Sequence, residues 1–346
     1  MKRLLVFRFS AMGDVAMTVP VLYSLLKEHP DLQITIVSRA AFQPFFEELS
    51  PNLSFYAADL KGKHKGFKGL FRLYKELRQM KFDAVADFHN VLRTKILCTW
   101  FRLAGIPVKQ LHKGRKEKKA LTRSKNKIRQ NLPTSFERYT IVLNKLGFQF
   151  PYTFSTIFIT PSPIHSDLLS YTGEKGKQQW IGIAPFAKHP GKLYPLEHME
   201  QIIQQLSQHS NYRIFLFGGG KQELEVLISW EKKFPNTKTL SNQLKLRGEL
   251  ALISQLDVMI SMDSSNMHMA SLTNTPVISI WGATHPCCGF MGWRQSIENA
   301  IQEELPCRPC SIFGNKPCLR NDYACLNKIA PERVVKQVEQ LLQAND

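Results

Sequence analysis

Short β-rich runs alternate with amphipathic helical stretches along this chain, and the alternation occurs twice. In the first series, strands are expected at 3–9, 33–38, 53–57 and 83–89, with helices at 15–28, 41–49, 67–80, 92–103 and 136–146. A segment rich in Pro, Ser, Thr and Gly, 148–177, then breaks the pattern, as a linker or domain edge does. The second series has strands at 179–184, 212–217, 258–262 and 277–281 and helices at 196–209, 221–234, 249–256, 266–273 and 331–343. Regular strand–helix alternation points to an α/β fold with parallel sheets. Two such halves predict a first Rossmann-like domain over 1–165, a second over 175–330, and a terminal helical segment, 331–346, packing back on the first. Ligands are then expected in a central cleft, at the carboxyl ends of both sheets.

Composition narrows what such a chain does. With 346 residues and 43% hydrophobic content it can bury a large core, which excludes a disordered chain. The N-terminal Leu4-Leu5-Val6-Phe7 looks like a signal peptide only until Arg8 cuts the apolar run, so it reads as a first core strand. No apolar stretch reaches the roughly 18 to 20 residues that span a bilayer. The net charge of +18 concentrates anionic partners. The excess peaks over 109–129, where ten Lys and Arg face the single acid Glu117. This run reads either as a solvated loop or as an anion-docking segment within a folded domain. Seven cysteines are an odd count for a secreted disulfide scaffold, so a reducing, cytoplasmic setting is expected.

Four strand ends carry chemistry. Ser10-Ala11-Met12-Gly13-Asp14 joins the first strand to a helix; Gly13 permits close backbone approach to a ligand, while Asp14 taken alone is simply an N-cap. The absence of GxGxxG there removes the main support for a dinucleotide site. Lys188 and Lys192, on the loop that opens the second series, suit a phosphate as well as they suit a solvated surface. Gly218-Gly219-Gly220 leaves room for a base or ribose, with Glu223 or Glu225 as the carboxylate for ribose hydroxyls or as a plain helix-dipole partner. Asp263-Ser264-Ser265-Asn266-Met267-His268 is the most informative: small hydroxylic residues open a helix whose first N–H groups form an anion site, with His268 in the first turn. Gly282-Ala283-Thr284 is placed to close the same pocket.

In order and spacing, Met12-Gly13-Asp14 with Pro20, Asp87-Phe88-His89 with Arg93, and Asp263 to His268 leading to Trp281-Gly282-Ala283-Thr284 resemble glycosyltransferase family 9, the heptosyltransferases. The resemblance runs over nearly the whole chain. It implies a GT-B type fold of two Rossmann-like domains and an inverting, metal-independent transfer of heptose, typically from ADP-heptose, to a lipopolysaccharide core. It makes Asp14 the base and places the acceptor near Ser10, Met12, Gly13, His89 and Arg93. It places the donor on Lys192, Asp263, Ser264, Ser265, Asn266 and His268, with Glu223 for the ribose. One departure is visible: the family's Asp-(Ser/Thr)-Gly turn here has Ser265 in place of the glycine. Lys116, Lys118 and Lys119 would dock an anionic lipid-linked acceptor at the cytoplasmic face of the inner membrane. No cofactor is required by this reading, and no nucleic-acid partner is expected.

Two further readings stay beside it. Cys307-x2-Cys310-x7-Cys318-x6-Cys325 can supply four thiolates to a structural zinc, but the gaps are not those of a zinc ribbon, and free thiols or disulfides satisfy the sequence equally. A basic nucleotide- or RNA-binding protein, or a nucleotide-sugar epimerase, also fits an α/β chain of this charge, although the aromatic motifs of an RNA module are missing.

Overall fold

The computed structural model describes residues 2–158 and 164–344, the side chains of 164–167 excepted. Residues 159–163 of the expected linker and the last two of the terminal segment lie outside the described residues. Two compact units result: Met1–Gly114 with Pro133–Ile157, and Arg115–Leu132 with Phe158–Asp346.

In chain order the first half holds β1 (Arg3–Phe7), α1 (Met12–Ala16), α2 (Val19–Glu28), β2 (Gln33–Ser38), β3 (Leu53–Ala57), α3 (Gly66–Gln79), β4 (Ala84–Asp87), α4 (Leu92–Leu103), β5 (Val108–Gln110), α5 (Arg115–Thr122) and α6 (Ser135–Asn144). The second half holds α7 (Ile164–Thr172), β6 (Gln179–Ala184), α8 (Leu196–Leu206), β7 (Tyr212–Leu216), α9 (Lys221–Lys233), β8 (Thr237–Thr239), α10 (Leu246–Ile253), β9 (Val258–Met262), α11 (Ser265–Leu272), β10 (Val277–Trp281), β11 (Ala300–Gln302), α12 (Ala324–Asn327) and α13 (Pro331–Gln343).

The first unit is a parallel sheet in the order β3-β2-β1-β4-β5, and the second a parallel sheet in the order β11-β10-β9-β6-β7-β8. Counted from the first strand of each unit, both follow 3-2-1-4-5, the second adding a sixth strand. This is the doubly wound arrangement, whose order reverses between the first and fourth strands. Burial explains the central strands: Leu4, Leu5, Val6 and Phe7 of β1 are fully covered, as a parallel strand with helices on both faces requires. Helix α3 shows the complementary logic, burying Leu70, Leu73, Tyr74 and Leu77 at one-turn spacing while its basic residues face outward. Each such buried side chain contributes about 1.5–3 kcal/mol.

Several expectations need correction. The helix expected over 15–28 is two, α1 and α2, because Thr18 turns its hydroxyl onto the Val15 carbonyl (2.7 Å) and Pro20 fits only the first turn of a helix. The helix expected over 41–49 is a 3₁₀ turn at Ala40–Phe45 containing Pro44. On the terminal helix α13, Val334, Val335, Val338 and Leu342 enter the core of the second unit beside Ile202, Ile203 and Leu206 of α8. Within the basic segment Arg115–Thr122 forms α5, whereas 123–129 is largely exposed and without helix or strand. From Arg115 onward it groups with the second unit, where Lys127 Nζ donates to the carbonyls of Cys307 (2.6 Å) and Pro309 (2.9 Å) and Leu132 N–H donates to Cys287 O (2.8 Å).

Candidate active site

In the first unit the strands read as 3–9 and 83–89 leave the ladder early, and residues 8–14 and 88–89 gather where β1 and β4 diverge. Arg8, 7% exposed, carries the arrangement. Its Nη2 meets Asp14 Oδ2 at 2.6 Å, and its Nη1 donates to the Phe88 carbonyl at 2.7 Å. Burial alone would lower the guanidinium pKa, but facing Tyr139, Asp14 and Asp87 holds it above its ordinary value. Asp14 also accepts from the Ala11 N–H (3.2 Å), the Ser10–Ala11 peptide being cis, and its own carbonyl accepts from Tyr139 Oη (3.1 Å). The Tyr139 ring stacks on Phe88 with centroids 4.6 Å apart. The Asp14 carboxylate is thereby fixed by a cation and a turn while its side chain stays 32% exposed.

His89 lies half-buried beside Phe9, and burial, reinforced by the Arg8 charge, pushes its pKa down to about 3. It is a neutral imidazole at physiological pH. Asp87 is wholly buried and accepts from the N–H groups of His89 and Asn90 (2.9 Å each) and from Gln110 (2.8 Å), so it shapes the turn rather than facing a ligand. Ser10, Met12 and Gly13 are half-buried on the same turn as Asp14, whereas Arg93 is exposed in the first turn of α4.

In the second unit the corresponding point lies between β6 and β9. Lys192, from the loop after β6, meets Asp263, from the end of β9, at 2.7 Å. The lysine is aimed by a tight 3₁₀ turn, Pro190–Lys192. A Cβ on Gly191 would stand 2.8 Å from both Ala283 Cβ and the Gly314 carbonyl, closer than side chains sit, so only glycine fits. Gly191 donates to Gly314 O (3.1 Å) and accepts from Ala283 N–H (2.7 Å), which brings the 282–284 turn against this loop. Arg308 locks that turn from beneath, donating to the carbonyls of Gly282 (2.5 Å) and Thr284 (2.9 Å).

Asp263 leads directly into α11. Ser264 is its extended N-cap, its hydroxyl 3.2 Å from that of Ser261, and Ser264, Ser265 and Asn266 are all half-buried. The first N–H groups of a helix have no acceptor within it and suit an anion. His268 is 6% exposed in the first turn. Glu223 accepts from the Gly219 N–H at 2.7 Å across the turn between β7 and α9, whereas Glu225 is exposed.

The remaining residues are placed elsewhere. Lys116 and Lys119 are exposed on α5, and Lys118 Nζ lies 5.2 and 5.7 Å above the Phe290 and Phe313 rings. Cys307, Cys310, Cys318 and Cys325 are free thiols that converge on one cavity of about 10 Å³ in the second unit. Among the described residues no three His, Cys, Asp or Glu side chains are arranged to hold a metal ion. Also among the described residues, no helix is long and apolar enough to cross a membrane.

Sequence reading missed Arg8, Tyr139, Gly191, Gly314 and Arg308. Arg8 had a signal: a charge ending a wholly apolar central strand is buried and needs a counter-ion nearby. The others depend on long-range packing that no local pattern announces.

Comparison with known proteins gives the family and the fold. The sequence pattern of Glycosyltransferase family 9 (heptosyltransferase) matches residues 70–316. Among curated relatives, the lipopolysaccharide core heptosyltransferase OpsX of Haemophilus influenzae is 25% identical over 82% of this chain and 80% of its own. Lipopolysaccharide heptosyltransferase 3 of Escherichia coli K12 is 25% identical over 95% of both. The structure of E. coli ADP-heptose lipopolysaccharide heptosyltransferase II superposes with a TM-score of 0.73 at 18% identity, covering 100% of this chain and 99% of that one. The match sets aside both a non-enzymatic RNA-binding protein and an epimerase.

Proposed function

Because the chain belongs to glycosyltransferase family 9 and has its two-unit, GT-B type α/β fold, we propose that it moves a heptose or related sugar from ADP-heptose or a similar nucleotide sugar onto a lipopolysaccharide core or similar lipid-linked acceptor. The observation that carries this reading is the Lys192–Asp263 pair at the mouth of α11, where a lysine and a helix N-terminus converge as a diphosphate requires.

The reaction is a single inverting displacement. The acceptor oxygen attacks the anomeric carbon as the bond to the diphosphate breaks, and the hydroxyl proton passes to Asp14. Lys192 and the first N–H groups of α11, next to Ser264, Ser265 and Asn266, offset the charge that grows on the departing diphosphate. His268, in the first turn of that helix, binds the donor beside them, and Glu223 takes the ribose. No step calls for a metal, and the four clustered thiols are given no part in it. Ser10, Met12, Gly13, His89 and Arg93 face the acceptor sugar, and Lys116, Lys118 and Lys119 its anionic groups, with the enzyme working at the cytoplasmic face of the inner membrane.

Acceptor-dependent product release tests this. Incubated with ADP-heptose, the protein should liberate ADP only when a heptose-free lipopolysaccharide core is added. Release of equal amounts without acceptor, or none with it, would overturn the reading.

A further inference from the structure

Helices α3 and α4 pack on one another at the outside of the first unit and leave an apolar surface uncovered. On α4, Leu92, Ile96, Trp100 and Leu103 fall at positions i, i+4, i+8 and i+11, along one side of the helix, with Ile96 and Trp100 partly buried against the core and the two leucines outside it. Leu92 and Leu103 at its two ends are 75% and 80% exposed. The stripe continues onto α3 through Trp100, which meets Phe67 and Phe71 edge-on at centroid distances of 5.3 and 5.4 Å. Phe67 is 66% exposed and Phe71 41%. Isolated exposed apolar side chains are ordinary on a protein surface, but a joined aromatic and aliphatic band across two helices marks an interaction site.

The charge around that band is one-sided. Helix α3 carries Lys68, Arg72, Lys75 and Arg78, and α4 carries Arg93, Lys95 and Arg102, against the single acid Glu76. Glu76 is already committed to Lys63 (2.7 Å), His64 (3.1 Å) and the Tyr56 hydroxyl, and these partners hold its carboxyl down at about 2 although burial opposes them. Lys75 Nζ stands 4.9 Å above the Phe71 ring, so the cations rise from the aromatic surface itself. A protein partner with a matching apolar face would need a compensating acidic rim. A bilayer with anionic headgroups supplies both halves at once, taking the rings at the acyl boundary and the lysines and arginines at the phosphates.

We propose that the α3–α4 face, with Phe67, Phe71, Trp100 and Leu103 as its apolar wedge, seats the first unit on an anionic lipid surface. The proposed function above attributes acceptor docking to α5; this places the membrane contact on different helices. It takes from that reading only that the acceptor is lipid-linked, and its test uses neither donor nor acceptor, so either idea can fail alone.

The experiment is sedimentation of the full chain with vesicles of phosphatidylglycerol and phosphatidylcholine, beside vesicles of phosphatidylcholine alone. The wild type should bind the anionic vesicles, bind the neutral ones far less, and release as salt rises. Phe67→Ser combined with Phe71→Ser and Leu103→Ser should lower the partition coefficient by at least about tenfold. Lys68→Glu with Arg72→Glu should lower it on anionic vesicles only. Both variants change exposed positions, and unchanged thermal unfolding would show that they fold. Wild type that ignores anionic vesicles, or a triple variant that binds like wild type, would overturn the proposal. So would analytical ultracentrifugation showing a wild-type dimer that the triple substitution dissociates, since the face would then join two copies of this chain.

Discussion

The two units each set a carboxylate–cation pair at the point where the strand order of a parallel sheet reverses, and the pairs are built in opposite senses. In the first, the cation is hidden and the acid offered: the Arg8 side chain is 8% exposed and that of Asp14 32%. In the second, the acid is hidden and the cation offered: Asp263 is 4% exposed and Lys192 15%. The same fold and the same ion-pair chemistry thus present a carboxylate on one unit and an ammonium on the other. The buried member in each case fixes the geometry of the exposed one. In the proposed transfer the carboxylate of the first unit would take the hydroxyl proton and the ammonium of the second would offset the charge of the diphosphate.

Removing the offered group should harm a different step in each unit. Asp14→Asn keeps the shape and removes the base, so turnover is expected to fall by about 10² to 10⁴, while ADP-heptose affinity, read by calorimetry, stays unchanged. Equal loss of donor affinity would mean that the two units do not divide the work. Lys192→Met should instead abolish measurable donor binding and also unfold the protein more easily, because it strands a buried carboxylate. Breaking a buried pair costs about 3–5 kcal/mol, and with Lys192 partly open to water about 2 kcal/mol is the reasonable expectation. The cleanest check is a double-mutant cycle in denaturant. Lys192→Met with Asp263→Asn should recover most of that stability without recovering donor binding. A double variant as unstable as Lys192→Met would show that Asp263 does not depend on its partner.

The legibility of these features in the sequence follows their range along the chain. Central strands such as 33–38, 179–184, 258–262 and 277–281 carry buried runs that stand out locally, and the structure places them at those bounds. The strands that escaped notice, β5, β8 and β11, are three residues each and all lie at sheet edges, too short to show a period and covered on too little surface to be uniformly apolar. Asp14, Lys192 and Asp263 were readable because a strand end followed by a helix is a local signal. That Lys192 and Asp263 touch was not, since 71 residues separate them and only the strand order joins β6 to β9. The basic run shows the limit of composition: its charge is plain in the sequence, but its anchoring through Lys127 to carbonyls 180 and 182 residues away is not.

The smallest expected effect concerns acid. His89 borders the pair of the first unit, and its folded pKa of about 3 lies well below the 6.5 of an unperturbed imidazole. Between these values the unfolded chain binds a proton that the folded one refuses, so stability rises with pH across that window. The contribution is complete above pH 6.5 and is lost progressively as pH falls toward 3. His89→Phe removes the proton and keeps a ring against Phe9. Unfolding free energies measured in denaturant from pH 7.5 to 4.5 should therefore fall less steeply in the variant, the difference in slope being at most about 1.4 kcal/mol per pH unit and smaller because His89 is partly solvated. Parallel curves would mean that His89 takes a proton while folded, beside Arg8, and that the exposed part of Asp14 is wetter than its surroundings imply.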